Sequence, residues 1–161
     1  MNKRVNICTR KLSNYDRGRK ERNQKLVQAE EMPTTILPGE YDAICYDVER
    51  GISWGGRENI YIKFKIYGGA FDGAELFMAC TYKIKSKMSY RHKYYQQFSI
   101  ANGGPPFRGQ RLSPCIFKNK MYRVLVRDTV RKFPNQRLMP QFLQYSVVDT
   151  ILEVLAGGPM Q

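Results

Sequence analysis

The chain is poor in the side chains that build catalytic and metal centres. Its 161 residues include one histidine, His92, and one tryptophan, Trp54. The four cysteines, Cys8, Cys45, Cys80 and Cys115, stand far apart and form no C-x-x-C pair, which argues against a zinc ribbon or knuckle. Cys45, Cys80 and Cys115 each fall in an apolar or strand-like run, so they read as buried free thiols, a usage that fits a reducing cytoplasm. Long apolar runs are missing too: none approaches the ~20 residues that cross a bilayer. The start, "MNKRVNICTRKL", carries charge without a following apolar stretch and is not a secretory signal. A soluble, cytoplasmic protein is expected.

Acidic residues are also scarce. Asp and Glu number 14 against 27 Lys and Arg, a formal net charge of +13. Such a balance implies a polyanionic partner or an acidic membrane surface and says nothing of fold. The carboxylates that exist (Asp42, Asp47 and Glu49, then Asp72, then Asp149 and Glu153) lack the close spacing of a two-metal nuclease. The loop "NGGPPFRGQR" lacks the GxxxxGK[ST] spacing of a phosphate-binding loop. No enzyme, metal or cofactor is expected.

Residues 1–37 are polar and basic, with too little apolar surface to offset the entropy of ordering. They read as a mobile basic arm, with a short helix around residues 20–31 ended by Pro33. From residue 38 to 155 the pattern is that of a folded domain, and residues 156–161 read as a frayed tail. A first strand spans about 40–49, then a glycine-containing connection, then the strand "IYIKFKIYG". The turn "GGAFDG" leads to a third strand, "AELFMACTY". Tyr90, Tyr94, Phe98 and Ala101 recur at helical spacing, with Ser89 as N-cap and Asn102-Gly103 as the stop. "CIFKNKMYRVLVRDTV" is a fourth strand, "RKFPNQRLMP" a basic loop, and "QYSVVDTILEVL" a fifth strand running through residue 152. This mainly β order, with one helix between strands three and four, is that of the five-stranded, partly open OB barrel.

What is abundant is aromatic and basic character on one strand face. Ile60, Ile62, Phe64 and Ile66 point one way, to a core. Tyr61, Lys63, Lys65 and Tyr67 point the other way. Aromatic rings stack on bases, and cations between them meet phosphates. In an OB barrel the ligand lies across strands two and three and the loops joining strands one to two and four to five. Those places hold Trp54 and Arg57; Tyr61, Lys63, Lys65 and Tyr67; Tyr82, Lys83 and Lys85; and Arg127, Arg131, Lys132, Phe133 and Arg137. The expected function is non-catalytic binding of single-stranded DNA. An RNA-binding module on the same barrel, and a protein-interaction or inhibitor protein, are the alternatives.

Two stretches, "YYQQFSIANGGPPFRGQRLSPCIFKNKMYRVLVRDT" and "YSVVDTILEVL", resemble small proteins encoded by bacteriophages and bacterial mobile elements beside replication genes. The front half, "GEYDAICYDVERG…IYIKFKIYGGAFDGAELF", resembles phage single-stranded-DNA-binding proteins of OB type, whose "G-x-[YF]-x-G" turn here reads Gly69-Ala70-Phe71-Asp72-Gly73. The likeness covers about residues 38–155. It implies a role in DNA replication or recombination of a mobile element, inside a bacterial cell or phage-infected host, with replication or recombination proteins as partners. Many bacterial single-strand binders end in an acidic, apolar tail that recruits partners; this sequence ends "LAGGPMQ" instead.

Overall fold

Period-two alternation builds the sheet. In the computed structural model, which describes residues 29–53, 56–82, 87–132 and 135–157, strand β2 (Glu58–Ile66) buries Ile60, Ile62, Phe64 and Ile66. Its other face carries the half-buried Tyr61 and Lys63 and the exposed Lys65. The same alternation on β3 (Glu75–Thr81) buries Leu76, Met78 and Cys80. On β4 (Lys120–Asp128) it buries Tyr122, Val124 and Val126. Strand β1 (Gly39–Ile52) is long enough to serve two neighbours. Residues 39–44 pair with β4 and residues 43–52 with β2, with a bulge between Cys45 and Asp47 where the strand changes partner. The last long strand, β7 (Ser146–Gly157), pairs with β4. A small hairpin, β5 (Arg131–Lys132) and β6 (Arg137–Leu138), lies in the connection from β4 to β7.

The five long strands form one antiparallel sheet in the order β3-β2-β1-β4-β7. Among the described residues no ladder joins the two edges, β3 and β7, so hydrogen bonds do not close the sheet into a barrel. Helix α1 (Lys93–Asn102) falls between the third and fourth long strands, as the sequence predicts. It buries Tyr94, Gln97, Phe98 and Ala101. Gln97 ties the helix to β7: its Nε2 donates to Thr150 Oγ1 at 2.8 Å, and its Oε1 accepts from the Ile151 N–H at 2.6 Å. Both ends of a buried amide are thereby satisfied, as burial demands.

Several boundaries depart from the sequence reading for local reasons. Ser89 Oγ accepts from the Arg91 N–H and the Ser89 carbonyl from His92, which closes a separate turn. The helix therefore starts one turn later, with His92 at the N-cap, and Tyr90 is left exposed. It stops where predicted, at Gly103, whose φ of 77° suits glycine. Residues Pro114–Phe117 wind into a 3-10 turn capped by Ser113, so β4 begins only at Lys120. Cys115 lies on the exposed side of that turn, opposite the buried Phe117, and is not the buried thiol expected. Cys45 and Cys80 are buried, which pushes their thiols up to about 12 and about 11. Strand β7 continues past residue 152 to Gly157.

The chain divides into two units, residues 1–31 and 32–161. Of the first, only residues 29–31 are described, and they are exposed and without regular structure; the rest of the expected arm, with most of its expected helix, lies outside the described residues. The second unit begins before residue 38. Ile36 is 5% exposed, its N–H donates to Ser146 Oγ at 2.8 Å, and the Ser146 N–H donates to the Thr34 carbonyl. No helix among the described residues is long and apolar enough to cross a membrane.

Candidate nucleic-acid interface

The outer face of β2 and β3 carries a row of rings. Tyr61 on β2 and Phe77 on β3 meet edge to face with centroids 6.0 Å apart. Phe77 in turn meets Tyr145, at the start of β7, at 6.1 Å and 30°. All three are half-buried, so each keeps solvent-facing surface. The small neighbours of Tyr61 explain its position. Its cross-strand partner on β3 is Ala79, and on the other side its ring leans over Gly51. A Cβ at Gly51 would lie 2.8 Å from Tyr61 Cε2, a distance that side chains do not tolerate without moving. The Tyr61 hydroxyl is also within 3.5 Å of Asn59 Nδ2.

The two lysines of the stripe are on this face, but each has a carboxylate. Lys63 Nζ lies 2.6 Å from Glu49 and 3.9 Å from Asp47. Lys65 Nζ lies 3.2 Å from Glu75 and 5.6 Å from the centroid of the Tyr46 ring. The Tyr46 hydroxyl bonds Glu75, and its pKa is pushed up to about 12 by burial and by that carboxylate. Asp47 also meets Lys118 at 3.2 Å. Its carboxyl is held below the usual range, first by the Val48 N–H, then by Lys118 and Lys63. The pattern continues along the sheet: Arg123 pairs with Asp42 and Glu153, and Arg127 with Asp149 at 2.6 Å. Acid and base alternate across this face, so its net field is small despite the chain's +13.

The remaining expected residues are dispersed. Tyr67 is exposed just beyond the end of β2, about 20 Å along the strand from Tyr61 at ~3.3 Å per residue, and it is not part of the row. Tyr82 is committed to packing: its ring meets Tyr94 at 5.0 Å, and the Arg50 guanidinium lies over it at 5.4 Å. Arg57 is exposed in the β1–β2 connection, where its carbonyl accepts from the Ser53 N–H. Arg131 is exposed on β5, with one nitrogen donating to the Gln136 carbonyl. Lys132 stands opposite Arg137 in the small hairpin, and Arg137 is exposed beside Leu138. Trp54, Lys83, Lys85 and Phe133 lie outside the described residues.

Phe77 and Tyr145 escaped the sequence reading. Phe77 was hidden in the apolar run "ELFMACT", yet its parity was readable, because Leu76, Met78 and Cys80 claim the inner face. Tyr145 has no such signal. Its meeting with Phe77 requires the start of β7 to approach β3, which is a tertiary fact. The hairpin connection returns to the same place, because the Thr129 N–H donates to the Tyr145 carbonyl at 2.8 Å. Arg131 thus lies two residues from a backbone contact at one end of the row. The β1–β2 connection with Arg57 leads into β2 three residues before Tyr61, at the other end.

Among the described residues no group of three or more His, Cys, Asp or Glu is placed to hold a metal ion. Chemically the face offers three adjoining rings, with Arg57 and Arg131 on the connections that lead to its two ends and Lys63 and Lys65 paired with carboxylates. No protein-family model matches the chain, and no curated protein matches it.

Proposed function

We propose that the chain binds single-stranded DNA without catalysis, with bases stacked along Tyr61, Phe77 and Tyr145. The observation that carries this is the row itself, three adjoining rings supplied by β2, β3 and the residue before β7. Strand order supports it. A sheet ordered β3-β2-β1-β4-β7 with a helix after the third strand has the connectivity of an OB barrel opened between its third and last long strands. That fold takes oligonucleotides on the same two strands and the loops beside them. Stacking is worth about 1–3 kcal/mol per base and tolerates any sequence. Arg57 and Arg131 supply phosphate contacts near the ends of the row. Lys63 and Lys65 have to exchange a carboxylate for a phosphate, so their net contribution is small. The resemblance of the sequence to mobile-element proteins supports a role in replication or recombination.

The test is an anisotropy titration with labelled oligo-dT, a duplex and an RNA of equal length, at several salt concentrations. The proposal expects oligo-dT to bind far more tightly than duplex, with a shallow salt dependence, because only two arginines meet phosphates, at about 0.7 of a unit of slope each. Equal affinity for duplex contradicts it. Tighter binding of RNA reassigns the same surface to RNA.

A further inference from the structure

Six large apolar side chains are left exposed on two segments that hydrogen bonds tie together. Met32 and Leu37 flank the strip Thr34–Ile36; Val130, Leu138, Phe142 and Leu143 belong to the β4–β7 connection. The strip is fastened to the end of that connection through Thr34 to Ser146, Thr35 Oγ1 to the Gln144 carbonyl, and Ile36 to Ser146 Oγ. The connection is held internally by the Met139 N–H on the Val130 carbonyl and by Gln144 Nε2 on the Met139 carbonyl. Exposure is largest at Phe142, 80%, and Leu138, 72%. Scattered exposed leucines need no explanation, but a gathering of this kind marks an interaction surface.

The chemistry around the surface indicates its occupant. Residues 129–145 contain Arg131, Lys132 and Arg137 and no Asp or Glu. Elsewhere on the sheet Lys63, Lys65, Arg123 and Arg127 are matched by carboxylates; residues 129–145 supply none, and Asp128 at their border accepts from Ser146 Oγ. Five of the six side chains are non-aromatic and offer a nucleic acid no stacking face, Phe142 being the exception, and a second copy would bring a chain of +13 against another of +13. We infer that this surface docks an acidic peptide segment of another protein, apolar residues on Leu138, Phe142 and Leu143 and carboxylates on Arg131 and Arg137. The inference shares Arg131 with the DNA-binding reading and otherwise stands on this surface alone.

The experiment uses fluorescein-labelled peptides of equal length: one alternating Asp or Glu with Leu or Phe, one with Lys for the acids, one with Ser for the apolar residues. They are titrated against the full chain and its Phe142→Ser and Leu138→Ser variants, both at exposed positions. The expected result is saturable binding of the acidic apolar peptide alone, weakened at least tenfold by either variant, with oligo-dT affinity changed less than twofold. Equal binding of the acidic Ser peptide, or no loss in the variants, overturns the inference. Loss of oligo-dT binding in the variants assigns the surface to the nucleic acid and overturns it also. So does concentration-dependent self-association, by sedimentation velocity, that Phe142→Ser abolishes.

Discussion

Replacing Phe77 by Leu probes the aromatic row at its middle. Phe77 touches both Tyr61 and Tyr145, at 6.0 and 6.1 Å, so its loss removes one stacking surface and the support of two others. At about 1–3 kcal/mol per stacked base, a central ring belongs in the upper half of that range. A loss of about 2–3 kcal/mol is a rise in Kd of roughly 30- to 150-fold. The fold should survive, because Phe77 is on the outer face and Leu keeps apolar cover there. Each aromatic pair contributes about 0.5–1.5 kcal/mol, so a modest fall in Tm is expected and should be measured by circular dichroism. Binding is then read with labelled oligo-dT well below that Tm. Tyr67→Leu serves as the comparison, with a Kd change below about threefold, since Tyr67 is about 20 Å along the strand from Tyr61. A folded Phe77→Leu protein with Kd changed less than twofold would refute the role of the row.

Further outcomes follow from the same contacts. Gly51→Ala places a methyl group 2.8 Å from the Tyr61 ring, so it should displace that ring and weaken oligo-dT binding several-fold while leaving the far-ultraviolet spectrum unchanged. Lys63→Ala should leave the slope of log Kd against log salt nearly unchanged, because Glu49 already neutralises this lysine; a free phosphate-binding cation would lower it by about one unit. In a Cys8→Ser background at pH 8, a thiol reagent should modify Cys115 quickly. Cys45 and Cys80 should react only on unfolding, since burial keeps both protonated to about pH 11. Asp47 ionises more easily folded than at its ordinary value of 3.8, so its stabilisation is present above that pH and lost as pH falls through the depressed value. Thermal melts should therefore show the Tm difference between wild type and Asp47→Asn shrinking below about pH 4.

How much was readable from the chain depends on how local the cause is. The inward set Ile60, Ile62, Phe64 and Ile66 follows from parity alone, and so does the outward set on the same strand. The helix end at Gly103 follows from glycine's tolerance of positive φ. The helix start is not legible in the sequence because Ser89 has two uses, cap or turn former, and only geometry chooses between them. The hairpin of β5 and β6 is not legible in the sequence because its paired segments are two residues each, too short to show a period. The apolar neighbours of Cys115 suggest burial, but a 3-10 turn rotates successive residues in and out. The site divides the same way. Tyr61 was visible; its row was not, because Tyr145 reaches Phe77 only through the fold. The lysines were visible as charges, whereas Glu49 and Glu75 opposite them depend on strand register.

The central claim is that a single strand lies along Tyr61, Phe77 and Tyr145. Ultraviolet cross-linking of an oligonucleotide carrying 5-iododeoxyuridine, with the adducts mapped by mass spectrometry, tests it most directly. Adducts are expected on the peptides containing these three rings, suppressed by excess oligo-dT. Adducts confined to other parts of the chain, with none on the row, would contradict it.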